Sequence, residues 1–194
     1  MNKDEISKLV QNDIFQQKID ISEFPDIDLY MDQVIQLFES KLSSLKRNDE
    51  DKILTKTMIN NYAKAKLFMK IKNKKYTKEH LILMSLVYEL KGALSINDIK
   101  TVLNQIVKDK EEGKEFDLEE LYNEYIKITD QESEFIRQHS LKRLDYFFDG
   151  KEEDDFSYNQ KFLLITTVVS LSNMYRRMAE TMIDKFFEEE EGKK

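Results

Sequence analysis

One proline and four glycines among 194 residues leave this chain little with which to punctuate a turn-rich β fold. Leu, Ile, Lys and Glu are abundant instead, and they support long helices joined by short connections. The expected fold class is therefore all-α, and 40% hydrophobic residues suffice for one large core or two small ones. Cysteine is absent, which excludes a disulfide framework, a thiol nucleophile and cysteine-ligated metals, and fits a reducing, cytoplasmic setting. The start, Met1-Asn2-Lys3-Asp4-Glu5, is charged and reaches Ile6 without the apolar stretch of a secretory signal, so secretion is not expected. The longest apolar-rich run, 162–174, includes Thr166, Thr167, Ser170, Ser172 and Asn173 and falls short of the ~20 residues that span a bilayer. It reads as a core helix, and no membrane partner is expected.

The net charge of −7 hides a change of sign along the chain. Residues 52–110 hold thirteen lysines against four acids, Glu79, Glu89, Asp98 and Asp109, whereas 1–51 and 111–194 are both acidic. A basic island between acidic flanks is the sequence's strongest pointer to a polyanionic partner.

Periodicity and capping signals divide the chain. Residues 1–24 form a lead-in or a short helix, ended by Pro25. Asp26 or Asp28 caps a helix to about Leu45 with an apolar stripe through Leu29, Met31, Val34, Ile35, Leu37, Phe38 and Leu42. After a polar connection, Thr55 caps a basic helix to Leu67 holding Met58, Ile59 and Tyr62. Residues 66–77, with alternating Phe68, Lys70 and Lys72 and a central Asn73, suit a small β-hairpin. Thr77 caps an apolar helix, 81–90, that stops at Lys91-Gly92, and Ser95-Ile96-Asn97-Asp98 opens another. A charged linker, 108–114, ends the domain read as 25–110. Beyond it come a helix to about Ile128, a second over 131–148, a break at Asp149-Gly150 with the acidic run 152–155, and a long helix over 157–187. Residues 115–187 form a helical region for dimerisation or effector binding, and 188–194 an acidic tail.

A helix laid in a major groove needs polar side chains that reach base edges and cations that meet phosphates. Asn60, Asn61 and Lys64, with Thr57, supply the first, since asparagine makes a bidentate pair with adenine. Lys56 and Lys66 at the helix ends and Lys70, Lys72, Lys74 and Lys75 on the hairpin supply the second. Tyr76 packs under the hairpin or hydrogen-bonds a phosphate, and Tyr62, a candidate contact, is the kind of residue more often found in a core.

Thr57-Met58-Ile59-Asn60-Asn61-Tyr62, then Tyr76-Thr77-Lys78-Glu79-His80-Leu81, then Leu90-Lys91-Gly92-Ala93-Leu94-Ser95-Ile96-Asn97-Asp98-Ile99 resembles the MerR winged helix-turn-helix pattern. It is similar, more closely, to an uncharacterised bacterial family known as a domain of unknown function with a MerR-like fold, over about 25–106. The resemblance covers less than half of the chain. It implies a recognition helix, a β-hairpin wing at 69–76 and a dimeric, double-stranded DNA-binding transcriptional regulator. The chain departs from the pattern where MerR proteins usually carry an Arg-Tyr-Tyr cluster and it has Ile59-Asn60-Asn61. No arginine stands between Arg47 and Arg137, so bidentate guanine readout is missing from this segment. Adenine or shape readout is expected instead.

Enzymatic chemistry has little to build on. His80 and His139 do not form a Glu-x-x-His pair, no glycine-rich phosphate loop or nucleophile elbow is present, and the carboxylates lie in like-charged runs. No cofactor and no metal site is expected. In the C-terminal half, Phe135, Ile136, Leu141, Leu144, Tyr146, Phe147 and Phe148 and the apolar residues of 162–186 read as a helical-bundle core. Their surplus of aromatics and methionines leaves room for a homodimer face or a pocket for a small-molecule effector. A different class of function also fits: a protein-interaction adaptor that keeps the winged-helix shape and uses its basic island to hold an acidic partner. A regulator prefers a palindromic site, whereas an adaptor binds DNA weakly and uniformly or not at all.

Overall fold

The computed structural model describes residues 3–12, 17–148 and 156–187, and the chain is mostly helical with a small two-stranded antiparallel sheet. In order come α1 (Lys3–Val10), β1 (Leu29–Tyr30), α2 (Met31–Leu42), α3 (Lys56–Ala65), β2 (Lys75–Tyr76), α4 (Lys78–Leu90), α5 (Ile96–Glu111), α6 (Leu118–Phe148) and α7 (Tyr158–Phe187). Among the described residues no helix is long and apolar enough to cross a membrane. The chain forms two compact units, a larger one of Gln17–Ile126 with Ala179–Lys194 and a smaller one of Met1–Gln16 with Lys127–Met178.

The larger unit is built on α4. Its residues from His80 to Ser85, and Val87, are all buried, so this helix has no free face to give to solvent. Helices α2 and α5 each add one stripe at four-residue spacing to the same core, Val34, Phe38 and Leu42 from the first and Ile99, Leu103 and Val107 from the second. The Ser95 cap of α5 forms as its sequence predicts: its hydroxyl accepts from the Asp98 amide at 3.1 Å, and the Asp98 carboxylate accepts from the Ser95 amide at 3.2 Å.

This core reaches past the 25–110 span read from the sequence on both sides. Ile19 and Phe24 from the lead-in and Leu118 and Tyr122 from the first turns of α6 are buried in it. The Tyr122 hydroxyl donates to the Ile19 carbonyl at 2.8 Å, which leaves its lone pairs to accept from the Ser85 hydroxyl at 3.0 Å. Phe24 packs its ring on Tyr122 with centroids 5.8 Å apart. Burial is the chief cause that pushes the Tyr122 phenol up to about 12, so it stays a neutral donor.

Local details also differ from the sequence reading. Neither Asp26 nor Asp28 caps α2, because Leu29 is drawn into the core and pairs as β1 with Tyr76, so the helix starts at Met31. The Gln33 side chain accepts from the Tyr30 amide at 2.8 Å instead. The strand partner of Lys75–Tyr76 is β1, Leu29 facing Tyr76 and Tyr30 facing Lys75, while 66–72 contributes the single bridge Lys72 to Lys75. Helix α6 runs unbroken where two helices were expected, since Thr129 and Asp130 lower propensity without removing a backbone donor as a proline would.

In the smaller unit, Ile6 of α1 is buried with Leu144 and Phe156, and Val10, Leu141 and Leu164 pack around them. Of the helical-bundle core expected of this half, the described residues show a part: Leu144 is buried with Leu141 and Leu164 beside it, whereas Phe135, Ile136, Phe162 and Val168 are exposed. The side chains of Phe147 and Phe148, the break at 149–150, the acidic run 152–155 and the tail 188–194 lie outside the described residues.

Replacing Tyr122 with Phe keeps the ring against Phe24 but strips the Ile19 carbonyl of its donor, and should lower the free energy of urea unfolding by about 1–3 kcal/mol. Tyr122→Ala should cost about 3–5 kcal/mol. A Phe variant as stable as the wild type would show that the hydroxyl does not hold the lead-in.

Candidate functional site

Helix α3 is fixed at both ends. The Thr55 hydroxyl accepts from the Met58 amide at 3.2 Å, an N-cap. At the other end the Lys66 amide donates to the Ala63 carbonyl and the Leu67 amide to the Tyr62 carbonyl, both at 3.1 Å, with Lys66 left-handed at φ 60°. That is a Schellman motif, completed by burial of Tyr62 and Leu67.

The helix turns about 100° per residue, so Lys56, Thr57, Asn60, Asn61 and Lys64 fall within an arc of about 140°. All five are exposed, while Ile59 and Tyr62 point into the core. The arc therefore gathers the polar residues singled out from the sequence and leaves out Tyr62, which is 4% exposed. Lys56 is the member with a neighbour: its ammonium lies 2.8 Å from Asp32, with both side chains well exposed, 64% and 70%. An ion pair so hydrated is worth at most about 1 kcal/mol and is easily exchanged for another anion.

The segment after α3 dips into the core through Leu67, Phe68 and Met69 and re-emerges as a tight turn. The Lys75 amide donates to the Lys72 carbonyl at 3.0 Å, and the two central residues, Asn73 at φ 52° and Lys74 at φ 60°, are both left-handed, the signature of a type I′ turn. Lys66, Lys70, Lys72 and Lys74 are exposed, and Lys75 is half-buried with its ammonium 5.6 Å from the centre of the Tyr30 ring. The Glu111 carboxylate accepts from the Lys70 amide at 3.1 Å and ties the turn's entry to the end of α5.

Tyr76, the other aromatic of the predicted set, is 2% exposed and packs beneath the turn. It forms a three-ring cluster with Phe68 and His80, with centroids 6.4 and 6.0 Å away. His80 satisfies both ring nitrogens there. Its Nδ1 accepts from the Thr77 amide at 3.2 Å and lies 2.8 Å from the Thr77 hydroxyl, so Nε2 carries the proton and donates to the Met69 carbonyl at 3.2 Å. Burial lowers the pKa of this imidazole below its ordinary value, which keeps it neutral.

The three non-glycine residues with positive φ among the described residues are Lys66, Asn73 and Lys74. Two of them are lysines at positions where glycine is the usual choice, the helix C′ and the second centre of an I′ turn. Each costs about 1 kcal/mol relative to glycine. Sequence reasoning did not select Tyr30 or the tip residue Asn73 as surface groups. A tyrosine inside an expected helix gives no sign that a strand pairing sets it beside Lys75. Among the described residues no group of three or more His, Cys, Asp or Glu is placed to hold a metal ion.

Residues 19–125 match the family described as Domain of unknown function (DUF1836), and with more than half of its length matched the chain belongs to that family. The match runs from Ile19 to Tyr125, the same stretch that closes around Tyr122. Neither a curated protein nor a solved structure matches the chain.

Two outcomes are expected. Because His80 is neutral when folded and takes up a proton below about pH 6.5 when unfolded, stability should fall as pH drops from 7.5 to 5.5. His80→Gln should flatten that slope in urea titrations at the two pH values. Lys74→Gly should raise stability by about 1 kcal/mol, whereas Lys74→Ala, which keeps the strained φ, should give no gain.

Proposed function

We propose that this chain is a sequence-specific, dimeric DNA-binding transcriptional regulator with a MerR-like winged-helix domain, cytoplasmic and not an enzyme. In this reading α3 enters the major groove and 69–76 is the wing, whose turn grips the backbone. Thr57, Asn60, Asn61 and Lys64 reach base edges. Lys56, Lys66, Lys70, Lys72, Lys74 and Lys75 meet phosphates. Tyr62 and Tyr76 are no longer among the contacts, since both are buried; their part is to hold α3 and the turn on the core.

The observation that carries the reading is the placing of lysine at two left-handed backbone positions, Lys66 and Lys74, where glycine would be more stable. A cation kept at the tip of a tight turn against its conformational cost is intelligible if the cation meets an anion outside the chain. The polar arc of α3 adds to this, because asparagines spaced for one exposed face suit the adenine edge. The Asp32 carboxylate near Lys56 fits as well, as a weak ion pair that a phosphate displaces.

The test is selection of genomic fragments by the purified protein at physiological salt. An enriched palindromic motif is expected. Asn60→Ala/Asn61→Ala should relax it at the cost of about 1–3 kcal/mol per lost bidentate pair. Lys72→Ala/Lys74→Ala/Lys75→Ala should weaken binding evenly across sequences and lower the salt slope by about 3. Lys74→Gly should bind more weakly although it is the more stable protein. Absence of any enriched motif with no DNA binding would reject the regulator in favour of an adaptor with a protein partner.

A further inference from the structure

Thr77 opens α4, and the residue three places on is His80, where a glutamate or glutamine usually returns to such a cap. The Nδ1 lone pair of His80 faces both the Thr77 amide, at 3.2 Å, and the Thr77 hydroxyl, at 2.8 Å, while the Nε2 proton goes to the Met69 carbonyl at 3.2 Å. Met69 and Thr77 bracket the lysine turn. One imidazole therefore ties down both ends of it, and does so only as the neutral ring with its proton on Nε2.

An imidazolium has two donors and no acceptor. A proton taken from solvent at Nδ1 uses up the lone pair; the Thr77 hydroxyl can rotate and accept, but the Thr77 amide is left facing a second donor. The charge would also sit on a ring 5% exposed, with Phe68 and Tyr76 at 5.7 and 6.0 Å. The acids that act on His80 are Glu79 of α4, held 2.7 Å from Lys110 of α5, and Asp28, which is exposed ahead of β1. The Glu111 carboxylate is engaged by the Lys70 amide, and Lys70 and Lys75, next in sequence to Met69 and Tyr76, oppose a further cation. Burial outweighs the two acids, so the closed site resists the proton.

The turn has few other ties. Its backbone is held by the pairing of β1 with β2, the bridge Lys72 to Lys75 and the Glu111 bond to the Lys70 amide, and two left-handed residues stand at its centre. A segment so sparsely bonded opens at lower cost than a buried helix. We infer that His80 is a proton-sensitive latch on the lysine turn: a proton at Nδ1 frees the Thr77 end, and the turn lifts from its floor while α4 stays folded. The inference rests on the proposed function for what the turn grips, and adds the regulation of that grip. Its sign is distinctive, because added positive charge by itself strengthens binding to DNA, whereas an opened turn weakens it.

Amide exchange followed by NMR on the full chain between pH 7.5 and 5.5 tests the latch. Once the turn opens, His80 regains its ordinary value of 6.5, so the open form is favoured as pH falls below it. The Lys75 and Thr77 amides should be less protected than that of Met84, should exchange through an opening that urea barely promotes, and should lose ~10-fold in protection over this range. In His80→Gln, whose amide accepts and donates without titrating, they should lose none. Protection of the turn equal to that of Met84, with the same urea dependence, overturns the latch, as does an unchanged turn in the wild type or an equal loss in His80→Gln. Should His80→Gln lose its helical circular dichroism, His139→Gln decides, since the chain has two histidines. The loss persists there if His80 is the latch, and its disappearance overturns the inference. One pH unit below the midpoint of the His80 ring titration, enriched DNA fragments should bind the wild type ~10-fold more weakly, in step with the closed share. Undiminished binding by an opened turn rejects control of the grip. An opening latch in a protein that binds no DNA rejects the DNA reading alone.

Discussion

Burial of α4 is the constraint on which the larger unit depends. A helix buried from His80 to Ser85 and again at Val87 has to satisfy every polar side chain it carries inward, and it carries two, His80 and Ser85. Each finds a partner outside α4. Ser85 reaches the hydroxyl of Tyr122, which reaches the carbonyl of Ile19, so one chain of hydrogen bonds fastens the start of α6 and the lead-in to the same point. His80 reaches Met69 and Thr77 and so holds both ends of the segment that contains the lysine turn. The two buried polar groups thereby set the limits of the domain and the position of its most basic loop.

Above that loop the surface runs against the logic of stability. Glycine would relax the backbone at 66 and at 74, and the chain has lysine at both. Beneath it, Phe68, Tyr76 and His80 form an apolar floor on which a strained turn can be held in one conformation. Rigid support below and exposed cations above is the arrangement expected of a surface that meets a fixed array of negative charge, because lysines already in position lose less entropy on contact.

Much of the helix pattern was legible in the sequence, and the failures share a cause. Thr55, Thr77 and Ser95 marked helix starts because capping is local chemistry, decided within three or four residues. The exposed arc of α3 was legible because its polar and apolar residues alternate with the helix turn. By contrast, the pairing of Leu29 with Tyr76 and the burial of Ile19 beside Tyr122 join residues about 47 and 103 positions apart, and no local signal encodes either. The expectation of a bundle core in the C-terminal half held for Leu144 and not for Phe135, Ile136, Phe162 or Val168, because composition reports how many apolar residues there are without saying which of them meet.

The sequence by itself determined an all-helical character, helix starts at three capping residues, a basic island between acidic flanks, and the set of lysines and asparagines that face outward, because propensity, capping and periodicity act over one or two helical turns. Only the tertiary structure decided that Tyr62 and Tyr76 are supports, that the domain begins at the lead-in and closes with α6, that the lysine turn stands on a three-ring floor, and that large apolar side chains of α7 stay exposed. Those outcomes depend on which distant surfaces meet, and burial of whole side chains, not local preference, sets that choice.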